Sequence, residues 1–247
     1  MARLLVPGIP YGTGAVFESA CVVGAGRVGK AMAARLGEWI PTQAAGRDLE
    51  CGDPDLVLLC VPDRAIAEVA AAIAPGPWIA HTSGACRLEA LAPHERRFSL
   101  HPLQTFTLER GPEQIDGAWA AVSGESAEAL AAGTELAGTL GLKPFELDDE
   151  MRPLYHAAAS FVSAFLVTLH EVAGELMDAA GAPPEALEPL MRRTIENGFQ
   201  HTGPLVRNDW ETVERHAEAI AARRPQLLPL YRALADTEAA LVGAKTP

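Results

Sequence analysis

The 247 residues predict an α/β fold: a doubly wound, mostly parallel sheet followed by an all-helical region. Three observations predict it. Short, continuous apolar runs alternate with helical patterns as far as residue 148, as expected when strands are buried on both faces by crossover helices. A glycine-rich turn sits between the first such run and the first helix. Strand signals then stop at Asp148-Asp149-Glu150, and only helical periodicity follows.

In chain order, residues 1–18 are rich in Gly and Pro and read as an extension before the fold. Ala20-Cys21-Val22-Val23 is the first strand, Gly24-Ala25-Gly26-Arg27-Val28-Gly29 the turn, and residues 30–36 the helix after it. A short extended piece at 40–45 ends at Gly46-Arg47-Asp48. The apolar run 56–61 is a central strand, stopped by Pro62-Asp63, and 65–73 resumes a helix. Strands follow at 78–80 and 98–100, with a short helix at 87–91 between them. A strand at 118–122 and a helix at 127–140 complete the α/β part. Beyond it lies one long helix at 153–180, closed by Gly181, with Pro183-Pro184 opening the next. A third helix begins after Thr202-Gly203-Pro204 with Asn208-x-x-Glu211 as a capping box, and a last one spans 226–241. The expected domains are 1–18, 19–148 and 149–247.

Composition excludes several functions. A formal net charge of −12 repels phosphate backbones, so nucleic acid is not an expected partner. Four cysteines without C-x-x-C spacing exclude a zinc ribbon, and two of them sit in apolar runs as small hydrophobes do. A reduced, cytoplasmic protein is expected. No signal peptide is visible. The uncharged stretch 154–169 is shorter than the ~20 residues of a spanning helix, so a buried bundle helix is expected there, not a membrane segment. No His/Asp/Glu cluster has ligand spacing, which leaves no metal site and disfavours a metal-dependent lyase.

The turn after the first strand carries the chemistry. Gly24 permits a tight turn, Gly26 lets main chain approach a diphosphate, and Gly29 lets helix and strand pack closely. The helix N-terminus offers its amides to the anion. An acidic residue about 20 positions on would select NAD by binding a ribose hydroxyl. Arg47 stands near that place instead and could pair with a 2'-phosphate, which favours NADP over NAD, although Asp48 is adjacent. Val61-Pro62 ends a central strand at the sheet's carboxyl edge, where such ligands lie. The expected cofactor-binding residues are Gly24, Ala25, Gly26, Arg27, Val28, Gly29, Arg47, Val61, Pro62 and His81.

With these motifs in view, the N-terminal half resembles the Rossmann domains of the 6-phosphogluconate dehydrogenase-like superfamily. That superfamily includes pyrroline-5-carboxylate reductase, prephenate dehydrogenase and F420-dependent NADP oxidoreductase. The resemblance rests on Val22 to Gly29 and on Asp55 to Asp63. A closer resemblance is to Rossmann-like proteins with a DUF2520 C-terminal domain. It rests on His81-Thr82-Ser83-Gly84, Ser99-Leu100-His101-Pro102-Leu103-Gln104, Tyr155-His156-Ala157-Ala158-Ala159, and Thr202-Gly203-Pro204 with Arg207, Asp209 and Thr212-Val213. It covers about residues 19–235. The resemblance implies an NADP-binding sheet domain, a helical dimerisation domain and an oxidoreductase-like site. It implies no particular substrate. Relatives often carry Asn where this chain has Ala164.

Hydride transfer to C=O or C=N needs a proton donor beside the developing anion, and His suits that task. Of seven histidines, His81 and His101 each follow an apolar strand. Prephenate dehydrogenases resemble the arrangement of Ser83 and His101, which implies that His101 is acid/base and Ser83 orients substrate. The plain alternatives are a strand-end histidine and a turn-forming serine. His156, early in the long helix where related dehydrogenases often place Lys, is the other candidate, with a buried core histidine as its alternative. The expected activity is an NADP-dependent oxidoreductase acting on a small carbonyl, imine or hydroxy acid, homodimeric through the helical part. The alternative is a non-catalytic NADP(H)-binding sensor.

Overall fold

The computed structural model describes residues 17–46 and 49–244. Its seven-stranded sheet has the order β2-β1-β3-β4-β5-β6-β7. The strands are β1 Ala20–Val23, β2 Thr42–Ala45, β3 Leu56–Leu59, β4 Trp78–His81, β5 Arg97–Leu103, β6 Trp119–Gly124 and β7 Lys143–Glu146. All neighbours pair parallel except β5 and β6, which are antiparallel. Helices α1 Arg27–Leu36, α2 Asp63–Ala72 and α3 Ala127–Thr139 supply crossovers.

The sequence dictates this layering. In β1, β3 and β4 every residue is buried, so these runs are apolar throughout instead of alternating. One core layer sets Val22, Leu56, Leu58, Phe98 and Leu100 against Met32 and Leu36 of α1 and Leu136 of α3. The opposite layer sets Val23, Val57, Leu59 and Ile79 against Ile66 and Ala70 of α2. At the edge, β2 is Thr-Gln-Ala-Ala with a single buried residue. The chain leaves β1 toward β2 on one side and returns to β3 on the other. That reversal opens a crevice at the carboxyl ends of β1 and β3.

Compact packing divides the chain between Ser160 and Phe161, so the sheet unit retains most of α4 Arg152–Val162. In the second unit α5 Ala164–Ala180 ends at Gly181 in the left-handed conformation. There follow α6 Leu187–Glu196, α7 Trp210–Arg223 and α8 Leu228–Val242. A small core of Leu205, Val213 and Ala239 joins α7 and α8.

Several elements differ from the sequence reading. β7 was not anticipated. The single helix expected at 153–180 is two, broken at Ser163. The cap of α7 is Asp209, which accepts from the Thr212 amide at 3.1 Å, while Asn208 adopts a left-handed conformation just before it. The apolar stretch expected to be buried is exposed: Leu154 by 71% and Val162 by 72%, with Phe161, Phe165 and Val167 similarly open. The run Asp149–Ala180 is, among the described residues, the one stretch long and apolar enough to cross a membrane. Cys21 and Cys51, expected to be reduced, form a disulfide, which a reducing compartment does not favour. Cys60 and Cys86 are free.

Candidate active site

The crevice at the β1/β3 switch point is a cavity of about 1120 Å³. It is lined by Gly24 to Val28 after β1, Cys60 to Ala65 after β3, Thr82 to Gly84 after β4, His101 of β5 and His156 of α4. All of these belong to the first unit.

The three glycines of the turn do different work. Gly24 has φ of +124°, and a Cβ there would strike the Cys60 carbonyl oxygen. A Cβ on Gly29 would collide with the Gly24 carbonyl, so α1 packs on the turn at a distance that no side chain allows. Gly26 differs: a Cβ there meets nothing within 4 Å. It is also the N-cap of α1 and offers no side chain to the helix amides. The space a Cβ would enter therefore fronts bare main chain at a helix N-terminus, which fits the diphosphate of a dinucleotide. Gly29 packs without lining the cavity, whereas Gly24, Ala25, Gly26, Arg27, Val28, Val61 and Pro62 line it as expected. Arg47 lies outside the described residues; Gly46 and Leu49 on either side line the same cavity. His81, expected among the cofactor contacts, does not reach it. Its ring is fully buried, and neither ring nitrogen makes a hydrogen bond. Burial, and then the nearby Arg152 charge, push its pKa down to about 3.

Behind the cavity-lining His101, Tyr155 Oη and His101 Nδ1 are hydrogen-bonded at 2.8 Å. The His101 ring meets His156 edge-on, with centroids 5.8 Å apart. Gly84 lies between both rings: a Cβ on it would be 2.5 Å from His156 Cδ2 and 2.9 Å from His101 Nε2. The absence of a side chain at Gly84 lets the two histidines reach the cavity together. Burial first, then Arg152 and His156, hold the His101 pKa at about 4, so the ring is neutral near pH 7. Burial raises the Tyr155 phenol to about 12. Ser83 Oγ accepts from the amides of Ala85 at 3.2 Å and Cys86 at 2.9 Å. Its oxygen is thus engaged in a turn, and what it has to offer a substrate is its proton.

Sequence reasoning missed Arg152. Its guanidinium is 0% exposed. It donates to the carbonyl oxygens of Ser83 at 2.9 Å and Gly84 at 3.4 Å, and to Ser99 Oγ. Nε lies 3.3 Å from Asp149 Oδ1. Asp149 in turn accepts from the Leu88 amide at 3.0 Å. One signal was present: Arg152 precedes His156 by one helical turn, which puts both on one face.

Residues 118–238 match the family profile "Domain of unknown function (DUF2520)". No curated protein sequence matches the chain. BF3122 from Bacteroides fragilis, provisionally designated an NADP oxidoreductase, superposes with a TM-score of 0.76 at 21% identity, covering 90% of this chain and 98% of its own. Protein TM1727 from Thermotoga maritima does so with 0.68 at 26% identity, covering 89% and 99%. A reductive aminase from Aspergillus terreus, solved with NADPH and ethyl-5-oxohexanoate, gives 0.60 at 18% identity, covering 93% and 96%. The chain has the Rossmann fold, and its residues 118–238 match the DUF2520 profile, in line with the resemblance read from its motifs.

Proposed function

We propose that the chain is an NADP-dependent oxidoreductase acting on a small carbonyl, imine or hydroxy-acid substrate. One observation carries the reading. The Gly26 cradle and the His101–His156 pair line one cavity, so a dinucleotide with its diphosphate at Gly26 would share that cavity with the histidines. Residues 24–28 would hold the diphosphate, and Val61-Pro62 would flank the nucleotide at the end of β3. Arg47, after β2 in the sequence, is the group proposed to select a 2'-phosphate. The nicotinamide supplies or accepts the hydride when bound. His101 presents a ring N–H to the oxygen or nitrogen of the substrate, and Gly84 keeps that approach open.

The likeness in fold to the NADPH-bound reductive aminase and to the Bacteroides protein supports this reading. Titration calorimetry with NADPH and NADH tests the cofactor. Micromolar NADPH binding, weaker for NADH, and turnover across a panel of carbonyls, imines and hydroxy acids are expected. NADPH binding without turnover on any of them would favour the sensor, a reading that the engaged Ser83 oxygen and Ala164 support. Binding of neither nucleotide would overturn both.

A homodimer is part of the proposal. The exposed Phe161, Val162, Phe165 and Val167 form an apolar surface that a second copy would cover. Light scattering that gives a monomer at micromolar concentration would remove it.

A further inference from the structure

The site offers a neutral imidazole where a reduction needs an acid. A neutral histidine that gives up its one N–H proton becomes an imidazolate unless the other ring nitrogen, an acceptor in the neutral ring, gains a proton at the same time. His101 Nδ1 has such a source in the Tyr155 hydroxyl, 2.8 Å away. The opposite edge of the ring, with Nε2, lies against Gly84 at the cavity.

We propose that Tyr155 is the terminal proton donor of the reduction and acts on the substrate through His101. The proposal rests on the oxidoreductase reading. Tyr155 O–H donates to Nδ1, which fixes the Nε2–H tautomer of His101. With a bound nicotinamide supplying hydride to the C=O or C=N carbon, the π pair would move onto oxygen or nitrogen. That atom takes the Nε2 proton, and the Nε2–H bonding pair stays in the ring. Nδ1 takes the Tyr155 proton, and the O–H pair stays on the phenolate. After release of product, one proton from bulk solvent, the proton that the overall reduction consumes, returns to Nε2, and Nδ1 passes its proton back to the Tyr155 phenolate. Oxidation runs the same transfers in reverse.

The surroundings suit this assignment. Burial holds the phenol protonated until about pH 12, so Tyr155 keeps a proton to give, and Arg152 acts in the opposite sense by favouring the phenolate. Arg152, three residues earlier on α4, supplies positive charge to the developing phenolate. The other charged or titratable groups nearby are His156 on the same helix, His81 from β4, and Asp149 and Cys86, which act on Arg152. The Phe145 ring of β7 meets the Tyr155 ring edge-on, with centroids 5.9 Å apart.

The test is carbon-13 and nitrogen-15 NMR of the full chain labelled at histidine, together with pH–rate profiles. The wild type should show His101 as the Nε2–H tautomer. Tyr155→Phe should lose that preference and lower kcat by about 100-fold, while binding NADPH as the wild type does. Incorporation of 3-fluorotyrosine at 155, which keeps the ring and lowers its pKa, should move the alkaline limb of kcat to lower pH. An Nδ1–H tautomer in the wild type, an unchanged kcat in Tyr155→Phe, or an unmoved limb would overturn the relay alone. Absence of turnover on every substrate would overturn the oxidoreductase reading, and the relay with it.

Discussion

Arg152 Nη1 donates to the main-chain oxygen of Ser83 across 2.9 Å and so joins segments 69 residues apart. The guanidinium is wholly buried, and Asp149 is its carboxylate partner. Breaking a buried pair by removing one member leaves the other charge uncompensated. Arg152→Met should therefore cost about 3–5 kcal/mol in urea unfolding. It should also raise the pKa of His101 and His81, since Arg152 lowers both. A loss of stability within the scatter of surface substitutions would show that the pair is not what holds the β4 turn.

The glycines of the turn separate folding from binding. Gly24→Ala and Gly29→Ala push a Cβ into main chain and should destabilise the fold by about 1–3 kcal/mol or more. Gly26→Ala meets no atom, so its thermal midpoint should match the wild type while NADPH affinity falls at least about tenfold. Equal affinities for Gly26→Ala and wild type in calorimetry would place the diphosphate elsewhere.

Gly84→Ala presses only on the ends of two imidazole rings. The rings can give way, so the fold should persist. They would turn from the cavity, and kcat should fall about tenfold or more with NADPH binding retained. A variant with wild-type kcat would mean that His101 and His156 need not point into the cavity together.

Acid should unfold the protein through its neutral histidines. His81 and His101 have folded pKa values of about 3 and 4, below the ordinary 6.5. Between 6.5 and those values the unfolded chain binds protons that the folded chain refuses. Stability therefore rises with pH across that window, by up to about 1.4 kcal/mol per pH unit for each histidine, and levels off above it. Urea midpoints from pH 4 to 8 check this. His81→Asn should flatten the slope, and a slope unchanged by it would contradict the burial argument.

The Cys21–Cys51 bond closes a loop across a sequence separation of 30. Chain entropy gives such a closure about 3–4 kcal/mol. Reduction by dithiothreitol should lower the thermal midpoint, and Cys51→Ala should reproduce the loss. In denaturant without reductant, thiol titration should find two thiols of the four cysteines, Cys60 and Cys86. Four thiols would mean that the bond does not form.

Sequence pattern located the parts of the fold set by local chemistry. β1, β3 and β4 are apolar without interruption, and the turn at Gly24 to Gly29 needs a positive φ at Gly24 and a close approach at Gly29 that no side chain allows, so all were legible. β7 was not, because Lys-Pro-Phe-Glu at a sheet edge buries a single residue fully and carries no apolar period. The break at Ser163 has neither Gly nor Pro to announce it. In the site, His101 and His156 were found as residue types suited to proton transfer. Arg152 was passed over because a lone arginine before an apolar helix reads as a solvated charge. Its partners at Ser83, Gly84 and Ser99 become neighbours only after the strands assemble. The Cys21–Cys51 pair was hidden for the same reason: no spacing rule links a β1 residue to a loop beyond β2.

The antiparallel pairing of β6 with β5 bears on where this protein can be cut. Residues Phe98 to Leu103 line up with Gly124 to Trp119, so the strand that opens the matched 118–238 segment is zipped to one that precedes it. A fragment excised at residue 118 would carry β6 with that flank bare, its apolar Ala120 to Val122 turned from core into an adhesive edge. Expressed alone it should collect in inclusion bodies. The segment that recurs as a unit of sequence is therefore not a unit that can stand by itself.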